Sequence, residues 1–153
     1  MKRDGVSLPA PPKDRNAIDW GYIDSAAIRA MVNWIREGKA PVSVPKISMT
    51  DDIENPIERD EFGNAIGGIR VPELEAPIAS YRGERTGGLG NPNWLSGETK
   101  PFDGSLLNKL YPRKNDRVTR WNQTVDQLVK QGLVLPEDVP SLRSRGFSSD
   151  PFA

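Results

Sequence analysis

Apolar residues recur at three- and four-residue spacing from Ile23 through the stretch DSAAIRAMVNWIREG that follows it, so that Ile23, Ala27, Ala30, Met31, Trp34 and Ile35 fall on one side of a helix. Asp24 or Ser25 stands where a cap belongs, and Gly38 where a helix commonly stops. The pattern predicts an amphipathic helix whose stripe packs into a core, with Trp34 as a buried anchor. A stripe of this size calls for a core larger than the rest of the chain offers. A second helical pattern lies in the last third, through Val118, Trp121, Val125, Leu128 and Val129, capped by Asn115 or Asp116 and ended by Gly132. Before it, Asp103 is placed to cap a short turn through GSLLNKLY, stopped by Pro112. After it, LPEDVPSLRSRGF suggests one or two further helical turns.

Between these helices the pattern breaks. In KAPVSVPKISMTDD, Val42 and Val44 alternate in one phase and Ile47 and Met49 in the other across Pro45, which predicts one short edge strand. Six acids between Asp51 and Glu61 indicate an exposed loop. VPELEAPIASYRGE reads as extended segments broken at Pro72 and Pro77, and RTGGLGNPNWLSGETKP as loop. The first residues, with PAPP at Pro9 to Pro12, read as an extended arm. The expected organisation is an arm over 1–19, a body over 20–145 and a flexible tail over 146–153. No repeat and no strand-helix-strand alternation occurs, so the expected class is α+β, mostly helices and irregular loop with little strand.

Composition sharpens this picture. With 14 prolines and 14 glycines in 153 residues, and only 36% apolar residues, long irregular stretches are expected. Twenty-one basic residues balance 21 acidic ones, so no net field draws the chain to nucleic acid or to an anionic membrane. Neither an apolar run behind the first basic residues nor an 18-residue apolar stretch is present, so the chain is expected to be soluble and by default cytoplasmic. There is no cysteine, hence no disulfide or thiolate chemistry. There is also no histidine, so a Ser-His-Asp triad, a Cys-His pair and a histidine-held metal cannot be assembled from these residues alone.

The remaining chemistry is sparse. A nucleophile elbow needs G-x-S-x-G, and the nearest approach, GVSLP around Ser7, ends in proline within the arm. The glycines of GNAIGGIR and GGLG could offer amides to an anion, but the flanking strand and helix of a phosphate loop are missing, so tight turns are the better reading. The acidic stretch lacks the alternating ligands and central glycine of a calcium loop and reads as solvated, so no metal or other cofactor is expected. Lys114, Arg117, Arg120 and Trp121 have the residue types of a nucleic-acid face, but Asp116 and Asp126 interrupt them and an ordinary helix face is expected. In DEFGNAIGGIRVPELEAP, Asn64 tolerates a left-handed turn, Gly67 and Gly68 permit close backbone approach, and Arg70 offers a planar fork. Such a corner lines a site or is purely structural, and the residues alone leave both open.

Three blocks in order, AIRAMVNWIREGKAP, DEFGNAIGGIRVPELEAPIASYRGE and PFDGSLLNKLYPRK leading to LVKQGLVLPEDVPSL, resemble the C-terminal region of a family of large α/β-hydrolase domain proteins regarded as serine esterases. The similarity runs from about Trp20 to Leu142 and is most specific around Gly63 to Pro72. The resemblance implies the C-terminal part of an α/β-hydrolase-like fold without its complete sheet. It implies no catalytic residue here, the serine triad lying outside these residues, and a substrate-binding contribution from Asn64 and Arg70 at the pocket wall. The expected partner is a hydrolase core chain, or another protein bound through the same apolar helix faces.

Overall fold

The computed structural model describes residues 13–85, 90, 93–113 and 115–148. PAPP, GGLG up to Leu89, Ser7, Lys114 and the end of the tail from 149 onward lie outside them. Among the described residues, five α-helices and one antiparallel ribbon appear in the order α1 (Gly21–Glu37), α2 (Pro72–Glu75), β1 (Ala79–Arg82), β2 (Glu98–Pro101), α3 (Gly104–Leu110), α4 (Asp116–Lys130) and α5 (Val139–Ser148). The class is α+β and helical in the main, as the pattern predicts.

The core is built by α4. Trp121, Val125 and Leu128 are buried along one side of it, and they pack with Val71, Leu74, Ala76, Ala79, Tyr81, Val134 and Leu142. At its end Gly132 adopts φ 74°, its N–H bonds Val129 O, and Leu133 N–H bonds Leu128 O. That pair of bonds satisfies the last carbonyls and turns the chain so that α5 returns across α4. Gly146 of α5 lies against the Trp121 ring so closely that a Cβ there would stand 2.4 Å from Cδ1. The indole Nε1 donates to Leu142 O at 2.9 Å. Arg117, one turn before Trp121, is buried too, its guanidinium over the indole and donating to Ala76 O and Gly146 O. The expected surface position of Arg117 is therefore interior, because backbone carbonyls from two other segments solvate the cation, while Trp121 of the apolar stripe is buried beside it.

Several local expectations are corrected. α1 starts at Gly21 rather than after Asp24 or Ser25, because Asp19 Oδ1 accepts from Gly21 N–H at 3.0 Å and turns the chain earlier. Its apolar stripe is only partly buried: Ile23 and Ala26 are covered, whereas Trp34 is 54% exposed and Ile35 77%. Trp34 is not a buried anchor, since the described residues bring nothing over that end of the helix. Pro72–Glu75 is a helix of one turn, with Pro72 in the first turn after extended Val71, where a missing N–H costs nothing. ETKP is strand β2, paired in register from Ala79 opposite Pro101 to Arg82 opposite Glu98. α5 continues through Ser148, so residues 146–148 of the expected tail are helical.

The edge strand expected across Val42 to Met49 is replaced by isolated bridges, since Pro45 interrupts any ladder, but the middle is more ordered than a loop. Ser48 N–H bonds Ile66 O, Ile66 N–H bonds Glu58 O, and Glu58 N–H bonds Ser48 O, so three short segments tie each other in a closed ring. Bridges at Ile47 with Gly67, Met49 with Ile57 and Arg59 with Ala65 extend it. Gly67, at φ 78°, is required: a Cβ would meet Lys46 O at 2.3 Å. Residues 14–17 are held against the ribbon, with Thr99 N–H bonding Asp14 O and Asn16 Nδ2 bonding Arg82 O.

Candidate functional site

The corner from Asp60 to Glu75 places both expected site residues, in different surroundings. Asp60 folds the turn: its Oδ1 accepts from Phe62 and Asn64 N–H, its carbonyl from Gly63 N–H, and Gly63 takes φ 81°. Asn64 then points inward with 0% exposure. Its Oδ1 accepts from Tyr81 N–H at 2.7 Å and its Nδ2 donates to Ala79 O at 3.4 Å. The side chain thereby takes the place of a neighbouring strand along β1, which would otherwise bury unpaired backbone groups.

Arg70 lies at the other end of the corner, half-buried. Its Nε donates to Glu75 Oε1 at 2.6 Å, Nη1 to Ala65 O, and Nη2 to Leu74 O at 3.2 Å, with Asp60 Oδ2 at 3.8 Å from Nη2. A guanidinium with these partners is fixed in direction as well as position. It forms one wall of a cavity of about 370 Å³. Val42 to Pro45, the stretch of α4 carrying Thr124, Gln127, Leu128 and Gln131, and the apolar Ile69 and Leu133 line the rest of it. Arg70 and Asn64 are thus not in contact with one space: one lines the cavity and the other holds the strand behind the corner.

A second polar cluster lies under α1 and α5. Glu73 is buried, and Arg145 Nη2 stands 3.3 Å from its Oε1, close enough for attraction but off the line of a hydrogen bond, so that oxygen has no hydrogen-bond partner among the described residues. Arg145 is engaged elsewhere, donating to Asp19 Oδ2 at 2.6 Å and to Ala17 O. Burial pushes the Glu73 carboxyl above its ordinary range, with Arg145 pulling the other way less strongly. Burial, reinforced by the Glu73 charge, also raises the Tyr81 phenol to about 12. Sequence reasoning passed over Glu73; the signal available was its place directly after Pro72 in an apolar corner.

Neither cluster has a nucleophile with a base, and the sequence has no histidine to serve as one. The expected acidic loop is exposed from Asp51 to Pro56, with Asp52 held below the usual carboxylate range by the amides of Asn55 and Glu54. Among the described residues no group of three acids is arranged to hold a metal ion, and no helix is long and apolar enough to cross a membrane.

No curated protein and no solved structure matches the chain. Residues 3–144 match the family model described as alpha/beta hydrolase domain, nearly the whole length and wider than the resemblance traced from Trp20 to Leu142. The chain, with its histidine-free corner and cavity, belongs to the alpha/beta hydrolase domain family.

Proposed function

We propose that these residues are the C-terminal portion of an α/β-hydrolase-like esterase, inactive alone, which docks on a catalytic core lying outside the 153 residues. The observation that carries this reading is the solvent-facing stripe Ile28, Met31, Trp34 and Ile35 on a helix of a family member that has no histidine. Large apolar side chains grouped on one surface mark a contact rather than a free face. The core would contribute the serine nucleophile, its base and the oxyanion donors, and acyl transfer would run through a serine acyl-enzyme. Arg70, fixed at the cavity wall, would position the substrate, and Asn64 would act behind it by holding β1.

The reading is tested by ester hydrolysis. The purified chain is expected to add nothing to the uncatalysed hydrolysis of p-nitrophenyl butyrate at any pH, while the chain together with its core accelerates it. In that assembly Arg70→Lys is expected to raise KM with little change in kcat, because the charge remains but the two-pronged hold on the Ala65 and Leu74 carbonyls, which shapes the cavity wall, is lost. Hydrolysis by the isolated chain would refute an external triad. A partner without serine elbow or histidine would instead make the stripe the contact of a non-enzymatic interaction module.

A further inference from the structure

The cavity beside Arg70 has an electrical character that sets what it can hold. The two ionisable side chains in its wall, Arg70 and Glu75, are paired at 2.6 Å, so a ligand meets a neutral pair rather than a free cation. One N–H of Nη1 and one of Nη2 of Arg70 are also taken by the Ala65 and Leu74 carbonyls. A carboxylate entering here would have to compete with Glu75 and would face its charge, which like-charge repulsion opposes.

What the walls do offer is uncharged. Thr124 Oγ1 is spent on Arg120 O, but Gln127 and Gln131 stand one turn apart on the exposed side of α4, each with an amide carrying both donors and an acceptor. Val44, Ile69, Leu128 and Leu133 give the same cavity an apolar surface. The volume, about 370 Å³, is at the small end of the roughly 300–1,000 Å³ usual for ligand sites.

We infer that this cavity binds an uncharged molecule with a short aliphatic chain and an amide or ester carbonyl, the chain lying on Ile69 and Leu133 and the carbonyl group meeting Gln127 and Gln131. The site belongs to these residues themselves. Its existence therefore does not depend on a catalytic core, and a failed search for a core would leave it standing; if the esterase reading holds, it gives the class of acyl group accepted.

The test titrates the full chain, labelled with nitrogen-15 on its amides and carbon-13 on its methyl groups, with hexanamide and separately with hexanoate at pH 7. Hexanamide is expected to give saturable shifts at the Gln127 and Gln131 side-chain amides and at the Ile69 and Leu133 methyls, with hexanoate binding at least fivefold more weakly. Replacing Gln127 and Gln131 together by Ala, both at exposed positions, is expected to weaken hexanamide at least threefold. Glu75→Gln, which removes the carboxylate facing Arg70, is expected to narrow the preference for hexanamide over hexanoate. Absence of saturable shifts with hexanamide, shifts confined to other residues, equal affinity for hexanoate, or indifference to the paired Gln substitutions would each overturn the assignment.

Discussion

α1 and α4 are amphipathic helices of similar length, 17 and 15 residues, yet they end in opposite situations. α4 buries Arg117, Trp121, Thr124, Val125 and Leu128 beneath α2 and α5, while α1 buries Ile23 and Ala26 and leaves Ile28, Met31, Trp34 and Ile35 in solvent. Two tryptophans make the contrast sharp: Trp121 is 1% exposed and bonded to Leu142 O, Trp34 is half-exposed. Helical periodicity specifies a face, but only the remainder of the fold determines what covers it. α1 is held at its first turns, through Ile23 and the Arg29–Glu137 ion pair at 2.6 Å, and its far end is left in solvent.

The contrast yields a ranked set of substitutions. Trp121→Ala is expected to cost about 3–5 kcal/mol in urea unfolding, since a large buried ring and its hydrogen bond are lost together. Gly146→Ala should follow at roughly 1–3 kcal/mol, because the added methyl enters the space of the indole and the buried ring has little room to yield. Glu73→Gln acts through pH. Burial raises the carboxyl in the folded chain above its value when unfolded, so the folded state binds that proton more readily. The resulting stability is complete below the ordinary carboxylate range near 4.5 and is lost as pH rises through the raised value. A series of urea midpoints from pH 4 to 8 is expected to decline less steeply for Glu73→Gln than for the native chain, and an unchanged decline would remove Glu73 as its source. Trp34→Ala is last, expected within about 0.5 kcal/mol in the isolated chain, as for other surface positions. A cost of several kcal/mol there would mean that α1 is covered by the chain itself.

The long helices were legible because a 3.6-residue period survives without knowledge of the fold, and so were their stops at Gly38 and Gly132, both in the left-handed conformation. Asp103 was legible as a cap for the same local reason; its side chain accepts from Leu106 N–H at 2.8 Å. β2 was hidden, since ETKP has no alternating apolar face and exists as strand only through its pairing with β1 and with Asp14. Arg117 was misread because its solvating carbonyls come from Ala76 and Gly146, far off in sequence. At the site, the fork of Arg70 was visible, whereas the cavity was not: its other walls come from Val42 to Pro45 and from α4, which only the closed fold brings together.

The central claim is that the exposed end of α1 meets a catalytic core. The most direct measurement is the native mass of the protein taken from its own source, with any accompanying polypeptide sequenced, compared with a form carrying Ile28→Asp and Ile35→Asp. A complex containing a serine elbow and a histidine, lost on the double substitution while the isolated fold persists, is the predicted result. A folded monomer with no such core, or a core complex indifferent to both substitutions, would contradict it.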